Sequence, residues 1–332
     1  MSAIKQIKPL GFPWATQDPF LFCVYHRDLF PNGNGNMGPD PAHFKGRMIG
    51  QDFTIKDGWR MYHGQQVPGF PQHPHRGFET ITVVPEGLVD HSDSMGATGR
   101  FGHGDVQWMT AGRGVLHSEM FPLVNDDEGN PLLLFQIWLN LPKRSKFVEP
   151  HYKMLWQEDI PIHKTRDAEV TIIAGDFDDT KSLDTTPDSW AADDENGVAI
   201  WLIKIKENGE LKLPIAEESI NRSIYFYKGE NITLGDQSLN VDQGADLNAN
   251  VETTIKNGDR EAHILLLQGR PIGEPVVQQG PFVMNSQEEI YDTIREYQRT
   301  QFGGWPWPKD EFVHPKEKGR FALHADGTEE IK

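Results

Sequence analysis

Hydrophobic positions along this chain fall in short runs, many of them alternating, and Gly, Pro, Asn and Asp separate the runs. Such runs predict β-strands, and many short strands with turn signals predict barrels or sandwiches. The clearest are Phe78 to Val84, Val106 to Met109, Leu132 to Leu139, Val170 to Ala174, Ile200 to Ile205, Ser223 to Tyr227 and Ala262 to Gln268. The pattern changes period once. Ser286 and Glu289 have the spacing of a capping box, and Ile290, Ile294 and Tyr297 follow at i, i+4 and i+7. A helix ending near Gly303-Gly304 is expected there, with its apolar stripe on a sheet. The acidic run from Asp176 to Asn196 and the stretch Pro31 to Asn36 read as loops. Neither has the spacing of an EF-hand or of a phosphate-cradling turn. The chain is therefore expected to be all-β with few short helices.

The strand pattern gives two His-containing pairs their meaning. Side chains at i and i+2 share one face of a strand. His73 and His75 then point the same way, as do His117 and Glu119. Two such strands side by side would gather three imidazoles and a carboxylate around one point. That set suits a first-row divalent ion and would leave two positions open if the ion is octahedral. A structural zinc site would instead be closed and rich in cysteine. Pro74 offers no N–H to a ladder, which fits a strand edge or a bulge.

The text around these pairs resembles the pirin family, a branch of the cupin superfamily. The matching residues run from His73 through Pro74, His75, Arg76, Gly77, Phe78 and Glu79 to Thr80, and again from Gly104 to Met120. Further likeness lies in Asp18-Pro19-Phe20 and Leu134 to Leu141, with weaker text at Leu265 to Ile272 and Gly280 to Asn285. The resemblance implies a bicupin, two double-stranded β-helix barrels facing one another. Residues 1–150 would form the metal-binding domain and residues 151–332 a cupin-like domain without metal. In many cupins a glutamate placed like Glu79 is a ligand; the pirin pattern assigns that role to Glu119. The implied ligands are thus His73, His75, His117 and Glu119, with Glu79, Gln136 and backbone carbonyls orienting the histidines. Iron(II) is the expected ion, and manganese, nickel, cobalt and copper are further candidates.

The same resemblance implies a function. Pirin relatives are described as quercetin 2,3-dioxygenases, which use dioxygen to open the central ring of the flavonol and release carbon monoxide. Glu119 would serve as ligand and as base for the 3-hydroxyl proton. The alternative is a non-catalytic iron-binding protein that senses redox state and binds a transcription factor or metabolic enzyme.

Composition narrows the partners. The chain has 332 residues and a formal charge of -17, from 32 basic and 49 acidic side chains. This acidity argues against nucleic acid and anionic lipid as direct partners. A small phenolic or flavonol substrate with dioxygen, or a protein, remains. A single cysteine, Cys23, allows no intrachain disulfide. The N-terminus lacks the apolar core of a signal peptide, and a cytoplasmic protein is the expectation. Other residues are expected to be structural: His63, His91 and His103 singly, Trp108 and Met109 as core, and the segment Phe302 to Pro308 as a strap packed on a barrel. Phe78 and Trp138 are expected either to wall the pocket or to fill the barrel.

Overall fold

The structure is a computed structural model and describes residues 2–332. Strands dominate it, with one α-helix and a few 3-10 turns among the described residues. The first ten strands are β1 (Ile4–Pro9), β2 (Phe20–Phe30), β3 (Gly69–His75), β4 (Phe78–Glu86), β5 (Leu88–Asp93), β6 (Thr98–Gly102), β7 (Val106–Thr110), β8 (Val115–Met120), β9 (Asn130–Asn140) and β10 (His151–Leu155). They are followed by β11 (Ile162–Lys164), β12 (Ala168–Ala174), β13 (Ala199–Ile205), β14 (Glu210–Leu213), β15 (Asn221–Lys228), β16 (Asn231–Leu234), β17 (Gln237–Asn240), β18 (Gln243–Asn248), β19 (Thr253–Asn257) and β20 (Ala262–Gly269). The pair β21 (Val277–Gln279) and β22 (Phe282–Met284) precedes helix α1 (Gln287–Thr300), and β23 (Phe321–Leu323) and β24 (Glu329–Ile331) close the chain.

The chain divides into two compact units. One holds a five-stranded sheet, ordered β10-β7-β4-β9-β2, and a six-stranded sheet, ordered β24-β23-β6-β5-β8-β3. Both sheets contribute to one apolar core, including Phe30, Val84, Val89, Phe101, Leu134 and Met154. The alternation read from the sequence is what delivers these side chains inward. The other unit pairs a seven-stranded sheet, β1-β18-β15-β20-β13-β12-β11, with a four-stranded one, β14-β19-β16-β17. Val170, Ile203, Ile224, Ile232, Ile255 and Ile264 lie in its core.

The units depart from a single boundary near residue 150. Residues up to Val24 and from Ile137 to Pro142 belong with Glu158 to Gly273, whereas Glu274 to Lys332 belong with Tyr25 to Gln136 and Lys143 to Gln157. Backbone pairing is the reason. β1 completes the seven-stranded sheet by lying antiparallel to β18, with Ile7 opposite Ala245. β23 pairs with β6, Ala322 opposite Gly99, and so extends the sheet that carries β3 and β8.

A buried guanidinium fastens the C-terminal strap to that sheet. Arg100 Nε donates to Asp90 Oδ1 at 2.6 Å, and its terminal nitrogens reach Asp90 Oδ2 and the carbonyls of His314, Pro315, Lys316 and Lys318. A buried charge is stable only when paired and hydrogen-bonded in this way. Helix α1 forms as expected. Ser286 and Glu289 make both bonds of the capping box, and Ile290, Ile294 and Tyr297 pack on Phe282 and Met284 of β22. The helix stops earlier than Gly303, because Gln301 takes the left-handed cap at φ 49°.

Arg100→Leu should leave Asp90 as an uncompensated buried charge and strip four carbonyls of their donor. Urea unfolding should show a loss of about 3–5 kcal/mol. Limited proteolysis should cut residues 312–319 in the variant and spare them in the wild type.

Candidate metal centre

β3 and β8 run antiparallel, and their register builds the site. His73 lies directly opposite His117, and His75 opposite Val115. The register slips between Phe70 and His73, so Pro71 and Gln72 bulge out of the ladder. β3 is the edge of its sheet, where a proline such as Pro74 costs no ladder bond. His73, His75 and His117 offer ligand atoms that all lie within 4.8 Å of one another. His73 Nε2 stands 3.2 Å from His75 Nε2 and 3.0 Å from His117 Nε2.

These spacings test whether the residues fit an ion. Two nitrogens bound cis at about 2.1 Å to an octahedral ion stand about 3.0 Å apart, against roughly 3.4 Å around a tetrahedral one. The 3.0 Å from His73 to His117 equals the octahedral value, and the 3.2 Å from His73 to His75 lies between the two. The tautomer matches too. His73 Nδ1 donates to the Pro71 carbonyl at 2.8 Å, and a carbonyl can only accept. The Nε2 of the neutral ring therefore carries a lone pair, the form a metal needs. The acceptor is a product of the bulge that precedes the His-Pro-His run.

Burial keeps the rings neutral. It pushes His73 down to about 4, with the charges of His63 and His91 adding to the effect, while the Pro71 hydrogen bond opposes it. His75 and His117 lie well below the usual histidine range, first through desolvation and then through repulsion from the neighbouring rings.

Glu119 stands apart from this group. It lies on the face of β8 that carries His117, but its Oε1 accepts from Thr82 Oγ1 at 2.9 Å and its Oε2 from Gln136 Nε2 at 2.6 Å. Burial raises its carboxyl pKa, and the nearby His91 and its two hydrogen-bond partners pull the other way. Gln136 thus orients the carboxylate. Glu79 lies on the opposite face of β4 from Thr82, and its Oε1 accepts from Thr110 Oγ1 at 2.7 Å and Trp108 Nε1 at 3.2 Å. Phe78 packs edge-on against His75 at 4.9 Å, whereas Trp138 packs on Phe22 at 4.2 Å. Trp108 and Met109 are fully buried.

Of the other histidines, His91 is buried and stacks on Tyr152, its centroid 5.6 Å from that of His117. His103 sits at an exposed turn with φ 53°. His63 is exposed and bonded to the Gly50 carbonyl.

Two features lay outside the sequence reading. Thr82 reads in the sequence only as an inward strand position, yet it bridges Glu119 and Gln136. A second buried polar cluster joins His26 to Tyr62, Tyr62 to Asp28, and Asp28 to Arg60. The His26-x-Asp28 spacing is its one local signal.

The sequence comparisons accord with this geometry. Residues 42–139 match the pirin domain and residues 200–303 the pirin C-terminal cupin domain. The chain belongs to the pirin family. Pirin-1 of Arabidopsis thaliana is 38% identical over 256 residues, covering 71% of this chain and 78% of its own. Pirin of Rattus norvegicus is 35% identical over 250 residues, covering 73% and 80%. A crystal structure of quercetin 2,3-dioxygenase from Acinetobacter baumannii superposes with a TM-score of 0.69 at 27% identity, covering 91% of this chain and 96% of that one. The two cupin-type domains expected for the pirin family are thus present. No helix among the described residues is long and apolar enough to cross a membrane.

The depressed histidines set a pH dependence. Above pH 6.5 neither the folded nor the unfolded state protonates them. Below it the unfolded chain takes up protons that the folded chain refuses, so stability falls with pH until the folded pKa is reached. For His73, whose folded value is about 4, the slope is about 1.4 kcal/mol per pH unit between pH 6 and 4. Urea midpoints of the metal-free protein should follow that decline, and His73→Ala should flatten it by that amount.

Proposed function

We propose that this protein is a metal-dependent dioxygenase that opens the central ring of quercetin-like flavonols. The observation that carries the reading is the convergence of three histidines kept neutral by burial, with His73 Nε2 3.2 and 3.0 Å from the Nε2 atoms of His75 and His117. His73, His75 and His117 would hold the ion, and three protein ligands would leave it open to a chelating substrate and to dioxygen. A divalent ion so held would polarise the flavonol oxygens and acidify the 3-hydroxyl. Iron(II) is the ion we favour for this nitrogen- and oxygen-donor set. The name of the Acinetobacter baumannii neighbour supports the choice of reaction.

Glu119 is the proposed proton acceptor. Its carboxylate is already oriented by Thr82 and Gln136, and burial raises its proton affinity toward that of a useful base. It is also the candidate fourth ligand. Its present hydrogen bonds, outside the three-nitrogen group, favour the proton-accepting role. The proton would move from the 3-hydroxyl to Glu119 and return to the carboxylic ester product as the ring opens and carbon monoxide leaves. Phe78, packed on His75, keeps bulk water from that side of the ligand set.

The test combines metal analysis with the loss of the quercetin absorption band in air. Iron(II)-loaded wild type should bind about one ion per chain and consume quercetin with dioxygen. His73→Ala should lose both. Glu119→Gln should retain the ion and lose about a hundredfold or more in turnover. Loss of the ion from Glu119→Gln would make it a ligand. An iron-loaded wild type that leaves quercetin intact would overturn the dioxygenase reading and favour a redox-sensing regulator.

A further inference from the structure

Aromatic rings continue outward from the three histidines. Phe70 lies 6.4 Å from His73, centroid to centroid. His63 and Phe53 lie 6.0 and 6.3 Å from Phe70, and Phe53 meets His63 edge to face at 4.9 Å with the planes 73° apart. Exposure rises along the series. His75 and His117 are buried, His73 and Phe70 are half-buried, and His63 and Phe53 are exposed, Phe53 at 41%. A path of ring faces and edges thus leads from solvent to the candidate metal ligands.

The outer rings are held in place by a frame of hydrogen bonds and an ion pair. The Arg47 side chain is shielded from solvent, lies 3.4 Å over the Trp59 ring, and donates to Asp52 Oδ2 at 2.8 Å and to the carbonyls of Trp59 and Lys56 at 3.0 and 2.6 Å. Asp52 and Tyr62 exchange backbone hydrogen bonds at 2.8 and 2.9 Å. Tyr62 is fixed in turn, in the left-handed region at φ 58°, by its 2.5 Å bond to Asp28. Phe53 and His63 are the residues that follow the two ends of this bridge, so their backbones are fixed with it. A rigid exposed aromatic loses little entropy when a ligand covers it. His63 is also set to recognise a hydroxyl. Its Nδ1 donates to the Gly50 carbonyl at 2.8 Å, which leaves a lone pair on Nε2 of the neutral ring.

We propose that Phe53 and His63 form an entrance subsite that selects planar polyphenols of two or more rings. Phe53 stacks on the part of the substrate remote from its chelating oxygens, and His63 Nε2 accepts a hydrogen bond from a phenolic hydroxyl. A single-ring chelator or small oxyanion would reach the histidines without needing either residue. The inference rests on the flavonol reading above and adds the residues that recognise the substrate before chemistry begins.

Equilibrium binding under argon tests it apart from turnover. Metal-loaded protein would be titrated with quercetin and with a single-ring 3-hydroxy-4-pyranone. Phe53→Ala should weaken quercetin roughly tenfold and the pyranone less than twofold; Phe53→Tyr should restore quercetin binding. His63→Gln should weaken quercetin several-fold without changing the pyranone. In air, the loss in Phe53→Ala should fall on KM. Equal effects on both ligands, or no effect on either, would overturn the entrance subsite, as would a wild type that binds no quercetin. Selective weakening in a protein that never consumes quercetin would keep the subsite and reject the dioxygenase reading.

Discussion

The antiparallel register of β3 against β8 is the constraint on which the site depends. A strand exposes every second residue on one face, and a slip of one residue would turn all its side chains over. With His73 opposite His117, both histidine pairs face the same interior. The two-residue bulge at Pro71 and Gln72 then brings the Pro71 carbonyl under His73 Nδ1. One backbone irregularity therefore sets both the position and the tautomer of a candidate ligand. The fully buried surroundings of β8 complete the effect by keeping His117 uncharged.

The sequence made the grouping of His73, His75 and His117 legible because its information is local. Two i, i+2 pairs, a strand period and a proline compatible with an edge need no knowledge of distant contacts. The capping box of α1 was legible for the same reason. What stayed hidden is three-dimensional partnership. Glu119 was expected beside the three histidines, but nothing in its spacing showed that Thr82 and Gln136, 37 and 17 residues away, would donate to its carboxylate. Glu79 and Trp108 are joined across paired strands, which spacing alone does not reveal. The division of the chain was hidden too. It is written in which strand edges remain to be paired, and β1 and β23 find theirs far along the chain.

Two of the buried ion pairs in this unit do different jobs. Asp90 and Arg100 gather backbone carbonyls and so tie a strap to a sheet. Asp28, paired with Arg60, instead accepts from the Tyr62 hydroxyl, and so binds the phenol that anchors the loop carrying Phe53. In each case the desolvated charge is tolerated because its lone pairs and protons are used. The first stabilises coverage of the sheet; the second shapes its approach.

The place of β3 at the rim of its sheet has one more consequence. An open strand edge is a template on which another polypeptide can add itself, and such addition is a common start of aggregation. Pro71 and Pro74 remove two amide hydrogens from that rim, and Gln72 spends its own on the Asp310 carbonyl. The strand that bears two of the histidines can thus stay thin-walled and close to solvent without inviting a foreign chain to close over it.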